Sequence, residues 1–158
     1  MGKGKPDHAA KYYYRVVKAA ESQLATLALV EKARALNDKV YSELQRLDYL
    51  KSSFENTYRE AVETYDTALR ALNAAEYQVA IDDFEVTGTI LVDMEARAIQ
   101  QIAGLLEAAA KSMEIYKLAR ARTAFESVLD LDRANAAAAD GLVTVSYTHL
   151  TLPTILRV

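Results

Sequence analysis

The chain has no cysteine and no tryptophan, only two prolines and five glycines, and a single histidine before residue 149. Without cysteine there is no disulfide framework, no zinc–thiolate site and no thiol nucleophile, and thiol usage says nothing about the redox compartment. One histidine, His8, cannot build a histidine-based triad or a two-histidine metal site. Walker-type and dinucleotide glycine loops are missing as well. On these grounds the chain reads as a non-enzyme, with no catalytic, cofactor-binding or metal-binding residues and no cofactor. Neither Gly nor Pro occurs from Asp7 to Thr87, a stretch that no strand-rich fold crosses without its turn residues.

What is present is helical in character. Hydrophobic residues make up 51% of the chain, and Ala, Leu, Glu, Lys and Arg, all good helix formers, dominate it. That composition suits one all-α domain able to bury a core. Up to Val143 there are 18 Lys and Arg, after Arg157 is set aside from 19, against 22 Asp and Glu. The resulting negative balance excludes a general nucleic-acid binder, which needs a basic face for phosphates. Leu24 to Val30 is the most apolar run, but Glu21 and Glu31 bracket it and it is far too short to span a bilayer. Arg15 and Lys18 interrupt the only apolar stretch near the start, so no secretory signal is read there and a cytoplasmic location is expected.

Residues 1–8 read as a disordered basic leader, followed by a single helical domain over 9–143. A first helix is expected from about Ala9 to Leu36, with Tyr13, Val17, Ala20, Leu24 and Leu27 forming one stripe. Tyr12-Tyr13-Tyr14 begin this amphipathic helix, with two rings partly buried. Asn37-Asp38 reads as a C-cap followed by an N-cap, which would set the next helix antiparallel to the first. The stripe then continues through Val40, Leu44, Leu47, Leu50, Phe54, Tyr58, Ala61, Tyr65, Ala68 and Leu72 without a slip. That register favours one helix to Asn73, while Ser52-x-x-Glu55, a possible capping box, and average helix length favour a break near Ser52. Beyond Asn73, a helix from about Glu76 ends near Thr87-Gly88-Thr89. Asp93 is expected to cap another to Lys111, and Ser112 a further one to Leu131. Asp132 to Asn135 form a loop, and Ala136 starts the next helix. The acidic groups Asp82, Asp83, Glu85 and Glu60, Glu63, Asp66 read as solvated helix faces.

Three segments share one pattern: Tyr58, Ala61, Tyr65, Ala68; then Tyr77, Ala80, Phe84, Thr87; then Leu118, Ala121, Phe125, Val128. Each sets a large residue, a small one and an aromatic on one helix face, so that a neighbouring helix approaches closely over the small residue. This resembles the second helix of a tetratricopeptide repeat. Asp132 and Asn135 resemble the repeat's closing turn, and Leu105 and Ala109 fall where its first helix carries a large and a small residue. The resemblance covers about residues 54–142. Arg133 stands where the family often has proline and Tyr116 where it usually has glycine, and Phe84 to Phe125 is a step of 41 rather than about 34. Tyr58 and Tyr77 are 19 apart, so the first copy reads as the leading helix of the unit containing Tyr77.

Val145 to Thr154 resembles something else: the transposon mosaic end and primer site of a DNA-sequencing adapter, translated in frame over ten residues. That resemblance implies a non-native tail over 144–158 and native sequence truncated at about Val143. The tail's Thr, Leu, Val and Tyr mixture is strand-like, and it is expected to contribute nothing to a helical core.

The repeat resemblance implies an array of antiparallel helical hairpins preceded by a long helical hairpin. It also implies a non-catalytic scaffold that binds a peptide or partner helix. The family's two-carboxylate clamp is not supported, because its positions carry Tyr65 and Leu69, then Leu106 and Ala110, so a protein or peptide partner would be held by apolar contacts. A coiled-coil homodimer through the Val40 to Leu72 stripe is the alternative, as is an accessory domain of an enzyme whose catalytic part lies elsewhere.

Overall fold

A computed structural model describes the backbone of residues 6–155 and the surroundings of side chains 8–148. Among the described residues there is no strand, and five α-helices account for the fold. They are α1 (Pro6–Arg46), α2 (Glu55–Asn73), α3 (Tyr77–Glu114), α4 (Leu118–Leu131) and α5 (Ala136–Ile155), with a single 3-10 turn at Asp48–Leu50 between the first two. No helix among the described residues is long and apolar enough to cross a membrane. Of the leader, residues 1–5 lie outside the described residues, and 6–8 belong to α1. Pro6 suits that first helical position, where its missing N–H costs no bond.

Several helix boundaries correct or decide the sequence expectation. Asn37-Asp38 is not a turn but lies inside α1, so the helical hairpin expected across it does not form there. Asn and Asp end helices when their side chains compete for backbone N–H groups. Here the Asn37 side chain is engaged elsewhere, accepting a hydrogen bond from the Tyr65 hydroxyl at 2.8 Å. For the Val40 to Leu72 stripe, where one helix and a break near Ser52 were both open, the structure takes the break: it is two helices, separated at 47–54. The break keeps the register because the 3-10 turn is bonded in series: Leu50 N–H to the Leu47 carbonyl, Lys51 to Asp48, and Phe54 to Leu50. Leu47 and Leu50 thus both stay wholly buried.

A further difference is that α3 runs unbroken through Thr87-Gly88-Thr89 and Asp93, neither ending at the first nor restarting at the second. Thr87 is wholly buried and satisfies its hydroxyl on the Asp83 carbonyl one turn back, at 2.8 Å. Phe84, Leu91 and Met94 are buried on either side of it. That burial outweighs the ~1 kcal/mol a helical glycine costs. Ser112, expected as an N-cap, sits in the last turn of α3 and bonds the Ala108 carbonyl. α4 starts six residues later.

The helices group into two compact units, 1–43 with 62–88 and 44–61 with 89–158. Buried residues of the first unit include Ala33, Val40, Ala68, Ala80, Ile81 and Phe84. The Tyr65 ring packs in a tilted arrangement against Phe84, with centroids 5.7 Å apart, and against Tyr41, at 6.5 Å. In the second unit Ala109, Ala121, Phe125, Val128, Ala138 and Val145 form one apolar cluster, with Leu105, Leu118 and Leu142 packed against it. Gly141 lies so close to the Phe125 ring that a Cβ there would collide with it.

The last helix corrects the expectation for the tail. Residues up to Ile155 are helical, and Val145 is 4% exposed. Ala138, Leu142 and Val145 recur at helical spacing, so the apolar face of α5 continues past 143 onto α4. Helical continuation also gives each backbone N–H a partner that a lone strand would leave to water.

Candidate functional site

The residues singled out by the repeat pattern are buried or half-buried. Ala61, Ala68, Ala80, Phe84, Ala109, Ala121 and Phe125 are buried, and Tyr58, Tyr65, Tyr77, Leu105 and Leu118 are half-buried. They are divided between the two units. Tyr65, Ala68, Tyr77, Ala80 and Phe84 belong to the first unit; Tyr58, Ala61, Leu105, Ala109, Leu118, Ala121 and Phe125 belong to the second.

The two best copies of the pattern share more than side chains. α2 ends in a turn in which Ala75 N–H bonds the Leu72 carbonyl at 3.2 Å and Glu76 N–H the Ala71 carbonyl at 2.9 Å. α3 ends in a turn in which Tyr116 N–H bonds the Met113 carbonyl at 3.0 Å and Lys117 N–H the Ser112 carbonyl at 2.8 Å. This is the Schellman arrangement, whose central residue is left-handed, and Ala75 and Tyr116 have φ of 61° and 56°. Each turn is followed at the same offsets by a wholly buried Ala (80, 121), a buried Phe (84, 125) and a wholly buried Thr87 or Val128. Every equivalent pair is 41 residues apart.

This local unit was only partly legible in the sequence. Tyr116 was identified as standing at the family's glycine, but nothing marks Ala75 as left-handed, since alanine is rarely found there. The turn after α4 was legible. Asp132 accepts from Ala134 N–H at 3.1 Å and from the Asn135 amide at 3.1 Å, while Asn135 Oδ1 accepts from Ala138 N–H at 3.1 Å and so caps α5.

Among the described residues, three surfaces could receive a partner. A cleft of about 610 Å³ is lined by Asp48, Tyr49, Lys51, Ser52 and Glu55 together with Asp130, Leu131 and Arg133. At its back Tyr58 donates to Asp48 at 3.0 Å, and burial first, then that carboxylate, raises the phenol's pKa. The cleft carries both signs of charge, which suits a polar peptide better than a simple anion. A shallower, mostly apolar groove of about 400 Å³ runs between Leu105 of α3 and Ala119, Arg120, Thr123, Ala124 and Ser127 of α4. The third surface is the first part of α1, where every residue from His8 to Ala28 is exposed. The expected stripe is therefore uncovered: Tyr13 is 68% exposed and Leu24 66%. The two rings expected to be partly buried in Tyr12-Tyr13-Tyr14 are not: all three are more than 60% exposed.

The acidic runs do not converge, and among the described residues no three His, Asp or Glu side chains are placed to share a metal ion. Asp82 instead accepts from the Gln78 amide at 2.8 Å, and Glu85 pairs with Lys32 at 2.9 Å. Comparison with protein-family models, curated proteins and solved structures gives no match.

Proposed function

We propose that the chain is a non-catalytic protein-interaction scaffold built from tetratricopeptide-like helical hairpins over about 54–142. The reading rests chiefly on one observation. The Schellman turn with its buried Ala and Phe is used twice, 41 residues apart, with the same backbone bonds. Repetition of one packing unit is how helical arrays grow, and their side surfaces are suited to holding an extended peptide or a helix. The apolar groove between α3 and α4 is the surface assigned to the partner, with the mixed-charge cleft as a second point of contact. The fold is thus read as a holder of protein rather than of nucleic acid or a small cofactor.

Selection of displayed peptides against the full chain tests this reading. Binders should be recovered, and Ala119→Glu with Thr123→Glu, both on the groove wall, should abolish their binding without changing the helical signal. Failure to recover binders, or binders indifferent to both substitutions, refutes the scaffold reading. The alternative dimer seam, Val40 to Leu72, is broken at 47–54, and its Leu44, Leu47 and Leu50 are buried, which favours the scaffold reading over a dimer through that stretch.

A further inference from the structure

We propose that the uncovered first part of α1 pairs with the same segment of a second copy as an antiparallel two-helix coiled coil. The inference is independent of the repeat reading and rests on α1 alone. Ala10, Tyr13, Val17, Ala20, Leu24 and Leu27 are spaced three and four apart, an average near 3.5 residues that keeps one seam facing a partner along a left-handed supercoil. Tyr13, Val17, Leu24 and Leu27 are each more than half exposed, and a shallow groove of about 290 Å³ runs beside them along Ser22, Gln23, Thr26, Leu27 and Val30.

Charge and size select the occupant and its direction. Residues 8–19 hold Lys11, Arg15 and Lys18 and no acid, whereas 20–31 hold Glu21 and Glu31 and no base. A parallel pair sets the basic halves side by side. An antiparallel pair sets each basic half against an acidic one, and the three-tyrosine end against the Leu24 to Val30 end. With Ala10 facing Leu27, Tyr13 facing Leu24 and Val17 facing Ala20, the seam has six layers, and Arg15 and Lys18 lie within a turn of the other copy's Glu21.

The rest of the fold agrees with that register. Leu29 and Val30 are half-buried and Ala33 is wholly buried, so each copy's own packing begins level with residue 8 of the other, where the other helix is ending. A register shifted by one heptad would set Glu31 against Tyr13 and lay the second helix over Ala33.

The absence of cysteine makes site-directed spin labels unambiguous. In the antiparallel pair, labels at His8→Cys are separated by about 31 Å along the axis and labels at Ser22→Cys by about 10 Å, from a 1.5 Å rise per residue. Sedimentation should show a dimer forming as concentration rises from micromolar to millimolar. Val17→Glu and Leu24→Glu, both at exposed positions, should weaken it about tenfold or more by forcing an unpaired carboxylate into the seam, with the helical signal of the rest unchanged. A monomer at every concentration, a dimer indifferent to both substitutions, or one short distance shared by the two label sites would overturn the proposal.

Discussion

The two halves of α1 carry the same kind of pattern and meet different fates. From Tyr13 to Leu27 within α1, and from Val40 in α1 on to Leu50 in the turn beyond it, apolar residues recur three and four apart, yet the first set is bare while Val40, Leu44, Leu47 and Leu50 are each less than 10% exposed. Periodicity therefore identifies a face but not what covers it. In the covered half, α1 is tied to α2 by the bond from Tyr65 to Asn37. In the bare half the interactions include Lys18 over the Tyr14 ring at 5.4 Å and the Thr26 hydroxyl donating to the Ser22 carbonyl. Most helical stability in proteins comes from packing of an apolar face rather than from propensity, so the bare half is expected to draw its stability from the anchored half or from a second copy.

Truncation separates the halves most sharply. Leu47→Ala or Leu50→Ala opens a cavity at a wholly buried site and should cost about 2–5 kcal/mol in chemical denaturation. Val17→Ala and Leu24→Ala, measured in dilute monomer, should stay within about 0.5 kcal/mol of the parent. The next largest effect concerns covered sites with no room to spare. Leu at Ala80 or Ala121, both 0% exposed, should overpack its junction and cost about 1–3 kcal/mol, while Leu at exposed Ala136 is near neutral. If both buried variants match the parent, the shared pattern is coincidence and the repeat reading loses its support.

A smaller change of opposite sign is expected at the turns. Tyr116 is 72% exposed and left-handed, so Tyr116→Gly relieves backbone strain while giving up little contact, and should add about 0.5–1 kcal/mol. Ala75→Gly should behave alike, and thermal unfolding of the two variants checks whether the turns are equivalent. Smallest is the ion pair of Arg46 and Glu95, joined by two hydrogen bonds, one of them 2.7 Å. The Arg46 guanidinium holds the Glu95 carboxyl below its ordinary value, chiefly by hydrogen bonding. The folded value being the lower one, the contribution is present above the unfolded carboxylate range and fades as pH falls through the folded value. Because the side chains are 48% and 30% exposed, about 0.5 kcal/mol is expected. Glu95→Gln should narrow the stability difference between pH 7 and acid by that amount.

How much was legible follows from where the physics is local. The all-α class came from composition, and the end of α4 and start of α5 from Asp132 and Asn135, whose side chains make their own turn. The small and aromatic positions could be read because helix spacing alone places them on one face. Helix ends were misread wherever a polar side chain was engaged by a distant group, as with Asn37 and Tyr65, or where burial overrode a glycine, as at Gly88. Residues beyond Val143 were read as strand-like and outside the core, but an apolar face that continues from Ala138 to Val145 settles the local state against intrinsic preference. The bare face of α1 was beyond reach for the same reason: whether Leu24 is covered depends on elements far away in the chain.

Amide hydrogen exchange along α1 at two protein concentrations tests most directly the claim that cover, not periodicity, holds this helix. In dilute solution protection should be high over residues 36–46 and fall toward exchange near that of an unfolded chain over 12–28, and raising the concentration should protect 12–28 alone. Equal protection of both halves in dilute monomer, or a bare half that never gains protection, would contradict it.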